Sequence, residues 1–246
     1  MATNEIPIPR DPTAEEALAL FKAVEEKFPS STLGDDKWYI LTLAALVGGS
    51  QATHAPTLYS YLLTRPEFQT PAQRQALMRR LRETLFKLIT IIGVCKPLDA
   101  VLEIDRVTRD EDRDYSFSRE NWQYDDANAK RGTDWLHRIY EQNIGRINNA
   151  FASQRDFEWA SRHIVYGLYL SDHSILNDVE TEITVLSGIM IQNLPRETGW
   201  HLRGTRRIGV SSEDVEMLQQ CIELVARFSS VSLHKVPRVK DIEHEV

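Results

Sequence analysis

Glu197 and His201 stand four residues apart at the end of the run from Glu182 to His201, so on a helix they share one face. A carboxylate beside an imidazole is a unit able to move protons near neutral pH. Pro195 suits the first position of that helix and places Glu197 at the third, where an acid also meets free amides and the positive helix end. A capping role for Glu197 therefore competes with a catalytic one. Glu182 precedes His201 by 19 residues and closes the acidic helix entry Asn177–Glu182. It carries the same two readings, cap or catalytic acid. Arg196 is the candidate clamp for a substrate carboxylate, since a guanidinium holds one bidentately; Arg203, Arg206 and Arg207 flank the same motif. Trp200 and Tyr166 are candidates for stacking on a ligand, with plain core packing as the alternative.

The motif has a counterpart 147 residues earlier, where Asp35 stands for Glu182, Ser50 for Glu197 and His54 for His201. With only Ser50 on its face, His54 has no acid to relay through. The earlier copy is therefore read as degenerate or as specialised for binding. His163 and His173 lack partners at metal-ligand spacing, so neither a metal nor an organic cofactor is expected. No glycine-rich phosphate loop or nucleophile elbow is present, and Gly48–Gly49 reads as a turn.

The elements that must position these residues are helical throughout. Thr13 to Glu16 forms a capping box before an apolar helix that stops near Phe28–Pro29. A second helix is expected from Asp35 or Asp36 to Gly48, and a third carries His54. Thr70 to Gln73 opens a long helix through Leu77, Leu81, Leu85 and Leu88, ending at Gly93, and Pro97 opens a short one. Between Ile104 and Gly132 the charges alternate at nearly every step, the pattern of a solvated linker; a lid offering Arg106, Arg109 or Arg113 is the alternative. Helical patterning resumes at Trp135 and again from Phe157 to Leu170. Ser211 to Asp214 caps a last long helix, and the tail beyond Pro237 reads as loose. The expected fold is all-α, with two related helical modules packed as one unit. Its parts are the N-terminal helices and first repeat (1–104), a charged linker or lid (105–132), the second repeat (133–236) and a tail (237–246).

Bulk properties narrow the function classes. A net charge of −7 over 246 residues argues against general binding to nucleic acid or an anionic membrane. No apolar run approaches the roughly 20 residues needed to span a bilayer. The first ten residues, broken by Pro7 and Pro9, show no signal-peptide core, so a cytoplasmic protein is expected. Cys95 and Cys221 lie far apart in apolar helical contexts and read as free thiols.

Taken in order, these landmarks resemble the carboxymuconolactone decarboxylase-like family, within the alkylhydroperoxidase D-like superfamily. Glu182 and His201 match the spacing of that family's acid and histidine, and Glu197 to His201 is similar to the Glu-x-x-x-His helix of its decarboxylase-like branch. Glu83 to Ala100, with Gly93-x-x-x-Pro97, resembles the helix that follows in the family. The second copy runs from Glu216 to Ser230 without that glycine and proline. The resemblance covers roughly 35–102 and 155–230.

The resemblance implies a cofactor-independent lyase or isomerase that transfers protons on a small acidic or enolisable substrate. His201, Glu197 and Glu182 would be catalytic, and Arg196, Trp200, Tyr166, His54 and Ser50 would bind substrate. It also implies a homo-oligomer. The thiol pair of the peroxidase branch is missing: Leu194 and Glu197 occupy its positions in one copy, Val47 and Ser50 in the other. Thiol peroxidase activity is therefore not expected. The competing expectation is a non-catalytic helical module for binding or assembly.

Overall fold

The computed structural model describes residues 10–246, the side chain of Asn148 excepted. The expectation about the first nine residues lies outside it. Among the described residues the chain is helical and contains no strand. Its helices are α1 (Ala14–Lys27), α2 (Ser30–Leu33), α3 (Trp38–Gly48), α4 (Ala55–Leu62), α5 (Pro71–Ile92), α6 (Cys95–Val107), α7 (Asp126–Tyr140), α8 (Ile144–Ala150), α9 (Arg155–Trp159), α10 (Asp178–Met190), α11 (Pro195–Arg207), α12 (Ser212–Phe228) and α13 (Val239–Ile242). A π-helical segment, Ala160–Leu170, continues α9.

The capping box read at Thr13 forms, the long helix opens at Thr70 with a capping box of its own, and Ser211 caps α12. Gly93 ends α5 with φ +84°, a conformation that disfavours a side chain. Every residue of α3 is buried, as is α10 from Glu180 to Met190. A helix apolar nearly all round, as α3 is, belongs at the centre of a bundle: α3 packs on α10 and α12, and α10, buried despite its polar Glu180, Glu182 and Ser187, packs on α3 and α5. A Cβ at Gly188 would sit 2.7 Å from Leu88 Cδ2, so the missing side chain sets how closely α10 approaches α5.

Two elements depart from the expectation. Helix α7 begins at Asp126, nine residues before Trp135, and the charged stretch ahead of it is tied along α5. Asp112 is wholly buried between Arg74 (2.7 Å) and Arg109 (2.8 Å), Asp114 is held by Arg79 and Arg82, and Arg119 pairs with Glu83 at 2.6 Å. Arg106 and Arg113 are also engaged, with Glu103 and with Asp105 and Asp110. The polar face of α5 carries the guanidiniums that match this acidic stretch, and pairing draws it onto the fold. The 237–246 tail is likewise bound. Val239 and Ile242 are buried, Glu243 meets Arg206, and Glu245 meets Arg203 at 3.0 Å.

Lys87 joins α5 to the end of the π-helical segment. It is fully buried, and its ammonium donates to the carbonyls of Tyr169 (3.0 Å) and Asp172 (2.7 Å) beside Glu83. Burial pushes it down to about 8, against the pull of Glu83 and Asp172.

Candidate functional site

Helix α10 starts at Asp178, with Asn177 as cap and Glu180 completing the capping box. Glu182 therefore lies inside the helix, one turn past its cap, with 1% of its surface exposed. This placement removes the capping explanation for Glu182. Pro195 opens α11, which puts Glu197 at the third position, yet the cap residue Leu194 makes no side-chain hydrogen bond.

The acid that His201 meets is Glu182. His201 Nδ1 lies 2.5 Å from Glu182 Oε1, and both side chains are buried. The second oxygen, Oε2, is buried and has no hydrogen-bond partner among the described residues. Burying such a group is costly, so its retention is a departure from ordinary core design. Gly204 makes room for the pair: a Cβ there would be 2.6 Å from Ile139 Cγ2 and 3.1 Å from Glu182 Oε1.

On its other side the imidazole faces α7. Nε2 is 3.4 Å from the Tyr140 hydroxyl, which is 2.9 Å from that of Tyr166 on the π-helical segment. The row Glu182–His201–Tyr140–Tyr166 thus links three helices and a π-helical segment through buried polar atoms. Burial pushes both phenols well above their usual range, the neighbouring charge of Glu182 adding to the rise, so they stay protonated at neutral pH. Glycines let the π-helical segment approach α7. A Cβ at Gly132 would fall 2.3 Å from the Arg162 carbonyl, and Asn128 Nδ2 donates to the His163 carbonyl at 2.9 Å. Widened turns of this kind recur at functional sites because they expose carbonyls and turn side chains inward.

The other expected residues divide. Tyr166 is part of the row, and Trp200 stands edge-on to Tyr140 with centroids 6.1 Å apart. Glu197 is half-buried and near enough to Tyr140 to raise it, but makes no hydrogen bond to His201. Arg196 is exposed and has no ion pair among the described residues, whereas Arg203 and Arg207 are drawn into contacts with Glu245 and the α7 carbonyls. In the earlier copy, His54 packs edge-on against Phe228 at 5.2 Å, and burial lowers its pKa. Ser50 is exposed in a left-handed turn, φ +65°, just after α3. No acid is hydrogen-bonded to His54 among the described residues; Asp11 and Glu16 lie near enough only to oppose the fall that burial causes.

Tyr140 was not singled out by the sequence. It reads there as one apolar position of α7, and no spacing ties it to His201, 61 residues later. Among the described residues no cluster of His, Cys, Asp and Glu is suited to a metal. Cys95 is exposed and Cys221 buried, and burial drives the Cys221 thiol up to about 12, where it is a poor nucleophile. No helix of the described residues is long and apolar enough to cross a membrane. No family model, curated protein or solved structure matches the chain.

Proposed function

We propose that the protein is a cofactor-independent proton-transfer enzyme, a lyase or isomerase for a small enolisable substrate, as its carboxymuconolactone decarboxylase-like resemblance implies. The observation that carries this reading is the buried Glu182–His201 pair, whose other ring nitrogen faces the protonated Tyr140, itself bonded to Tyr166. Glu182 accepts the Nδ1 proton and fixes the tautomer that leaves Nε2 free as a base. Nε2 takes a proton from carbon next to a carbonyl, and the bonding pair moves onto the carbonyl oxygen. Tyr140, supported by Tyr166, donates a hydrogen bond to that oxygen as charge develops. Return of the proton to another carbon completes an isomerisation; loss of carbon dioxide would deliver the same enolate for protonation. Glu197 and Trp200 stand at the rim of this row. With Glu182 and Glu197 near and Arg196 turned outward, an enolisable carbonyl suits the centre better than an acid held by Arg196. A cytoplasmic homo-oligomer belongs to the same reading.

A second reading is favoured by the burial of the row itself. Glu182, His201, Tyr140 and Tyr166 bolt α7, α10, α11 and the π-helical segment together, which suits a rigid binding or assembly module. Exchange of carbon-bound hydrogen for solvent deuterium separates the two. With a panel of small ketones and lactones, the wild type is expected to catalyse exchange on at least one, and His201→Ala to slow it by about two orders of magnitude. Equal exchange by folded wild type and variant would leave the assembly module.

A further inference from the structure

Away from the Glu182–His201 row, a cavity of about 520 Å³ opens between the start of α3, the end of α4 and the first turns of α5. Its size lies within the range of sites for small organic molecules. The apolar wall is aromatic. Trp38 and Tyr39 begin α3, and Phe68 meets Tyr39 edge-on with centroids 6.4 Å apart. Leu62 and Leu77 extend this wall. Trp38 is 3% exposed, so it closes the floor of this wall.

The charge around the cavity is uneven. Glu25, Asp35, Asp36 and Glu67 border it, against the two guanidiniums of Arg65 and Arg80. Both guanidiniums are already committed. Arg65 pairs with Glu25, and Arg80 donates to Tyr39 Oη at 2.7 Å and to Glu180 Oε1 at 2.7 Å, with Asp36 beside it. Asp35 and Glu67 have no ion pair among the described residues, and both are exposed at the mouth. An anion entering would meet spent guanidiniums and free carboxylates. A cation would meet free carboxylates and then the aromatic wall of Phe68, Trp38 and Tyr39, the last with the Arg80 guanidinium already over its ring at 5.7 Å; carboxylates beside aromatic rings are what alkylammonium groups favour.

We propose that this cavity is a binding site for a small organic ammonium ion with an apolar body. The ammonium sits between the acidic mouth and the aromatic wall, and the apolar body lies against Leu62, Leu77 and Phe68. Glu180 holds Arg80 from α10, the helix that also carries Glu182. The site stands whether or not that row is catalytic.

Calorimetry on the full chain with three probes tests this: benzyltrimethylammonium, benzyl alcohol and benzoate. The cation is expected to bind most tightly and benzoate least. Asp35→Asn with Glu67→Gln, both exposed and without ion pairs among the described residues, should weaken the cation about fivefold or more at low salt, and less at high salt. The alcohol should not respond to those changes. Phe68→Leu keeps the apolar wall and should weaken the cation more than the alcohol. No binding of the cation, binding indifferent to all three substitutions, or tighter binding of benzoate would overturn the assignment.

Discussion

At the scale of single residues, Glu182 and Glu197 have exchanged the weights that spacing suggests. Four-residue spacing puts Glu197 on the face of His201, but the acid that reaches the imidazole comes from the neighbouring helix. Removing Glu182 strands a buried imidazole. Glu182→Ala is therefore expected to cost about 2 kcal/mol, the scale of leaving a buried donor without its hydrogen-bond partner. Glu197→Gln should stay within about 1 kcal/mol because its carboxylate is half-buried and unbonded. Urea midpoints of the two variants check this ordering. The 19-residue separation of Glu182 from His201 was legible in the sequence. Tyr140 was not, because a contact across helices leaves no mark on local periodicity. The buried histidines add a pH signature. Burial lowers both His54 and His173, so the folded state resists their protonation and the unfolded state does not. Stability should fall as pH drops through about 6.5, where the unfolded chain takes up these protons. His54→Gln should flatten that limb of a urea-midpoint profile; an unchanged limb would remove His54 from the explanation.

At the scale of elements, capping carried the most information. The capping boxes at Thr13 and Thr70, the Ser211 cap and the stop at Gly93 were all written in local residue types. The charged stretch from 105 to 132 was not, since alternating signs read alike whether they face water or partners on another helix. Its attachment to α5 turns on Asp112. Asp112→Ala would leave Arg74 buried beside one remaining, largely exposed acid, Glu111, and is expected to cost about 3 kcal/mol. Arg106→Ala, an exposed partner of Glu103, should change stability by less than about 1 kcal/mol. Thermal unfolding of both variants tests whether the stretch is structural; equal, negligible effects would return it to a solvated linker. The tail was misread for a related reason: its few apolar residues, Val239 and Ile242, are enough to seat it once the arginines of α11 hold Glu243 and Glu245.

At the scale of the whole molecule, α3 sits at the centre because it is apolar on nearly every side, and α10 packs against it although it carries Glu180 and Glu182. Lys87 was not visible in the sequence: a lone lysine on α5 becomes the buried link between that helix and the π-helical segment. Its pKa in the fold, about 8, lies below the roughly 10.4 of an exposed lysine. Between those values the unfolded chain binds more proton at this site, so Lys87 makes stability rise with pH from about 8, a rise that buried Cys221, pushed up to about 12, offsets once the unfolded thiol ionises near about 8.5. Above about 10, buried Tyr39, pushed up to about 12, and the still higher Tyr140 oppose the trend, because the unfolded chain ionises its tyrosines first. Lys87→Met should remove the rise. The central claim, that the fold exists around a proton-transfer row, is tested most directly by the imidazole tautomer of His201, read from long-range nitrogen–proton NMR correlations. The proton should sit on Nδ1, with a downfield resonance lost in Glu182→Ala and kept in Glu197→Gln. A proton on Nε2, or a resonance that follows Glu197 instead, would contradict the row and its base.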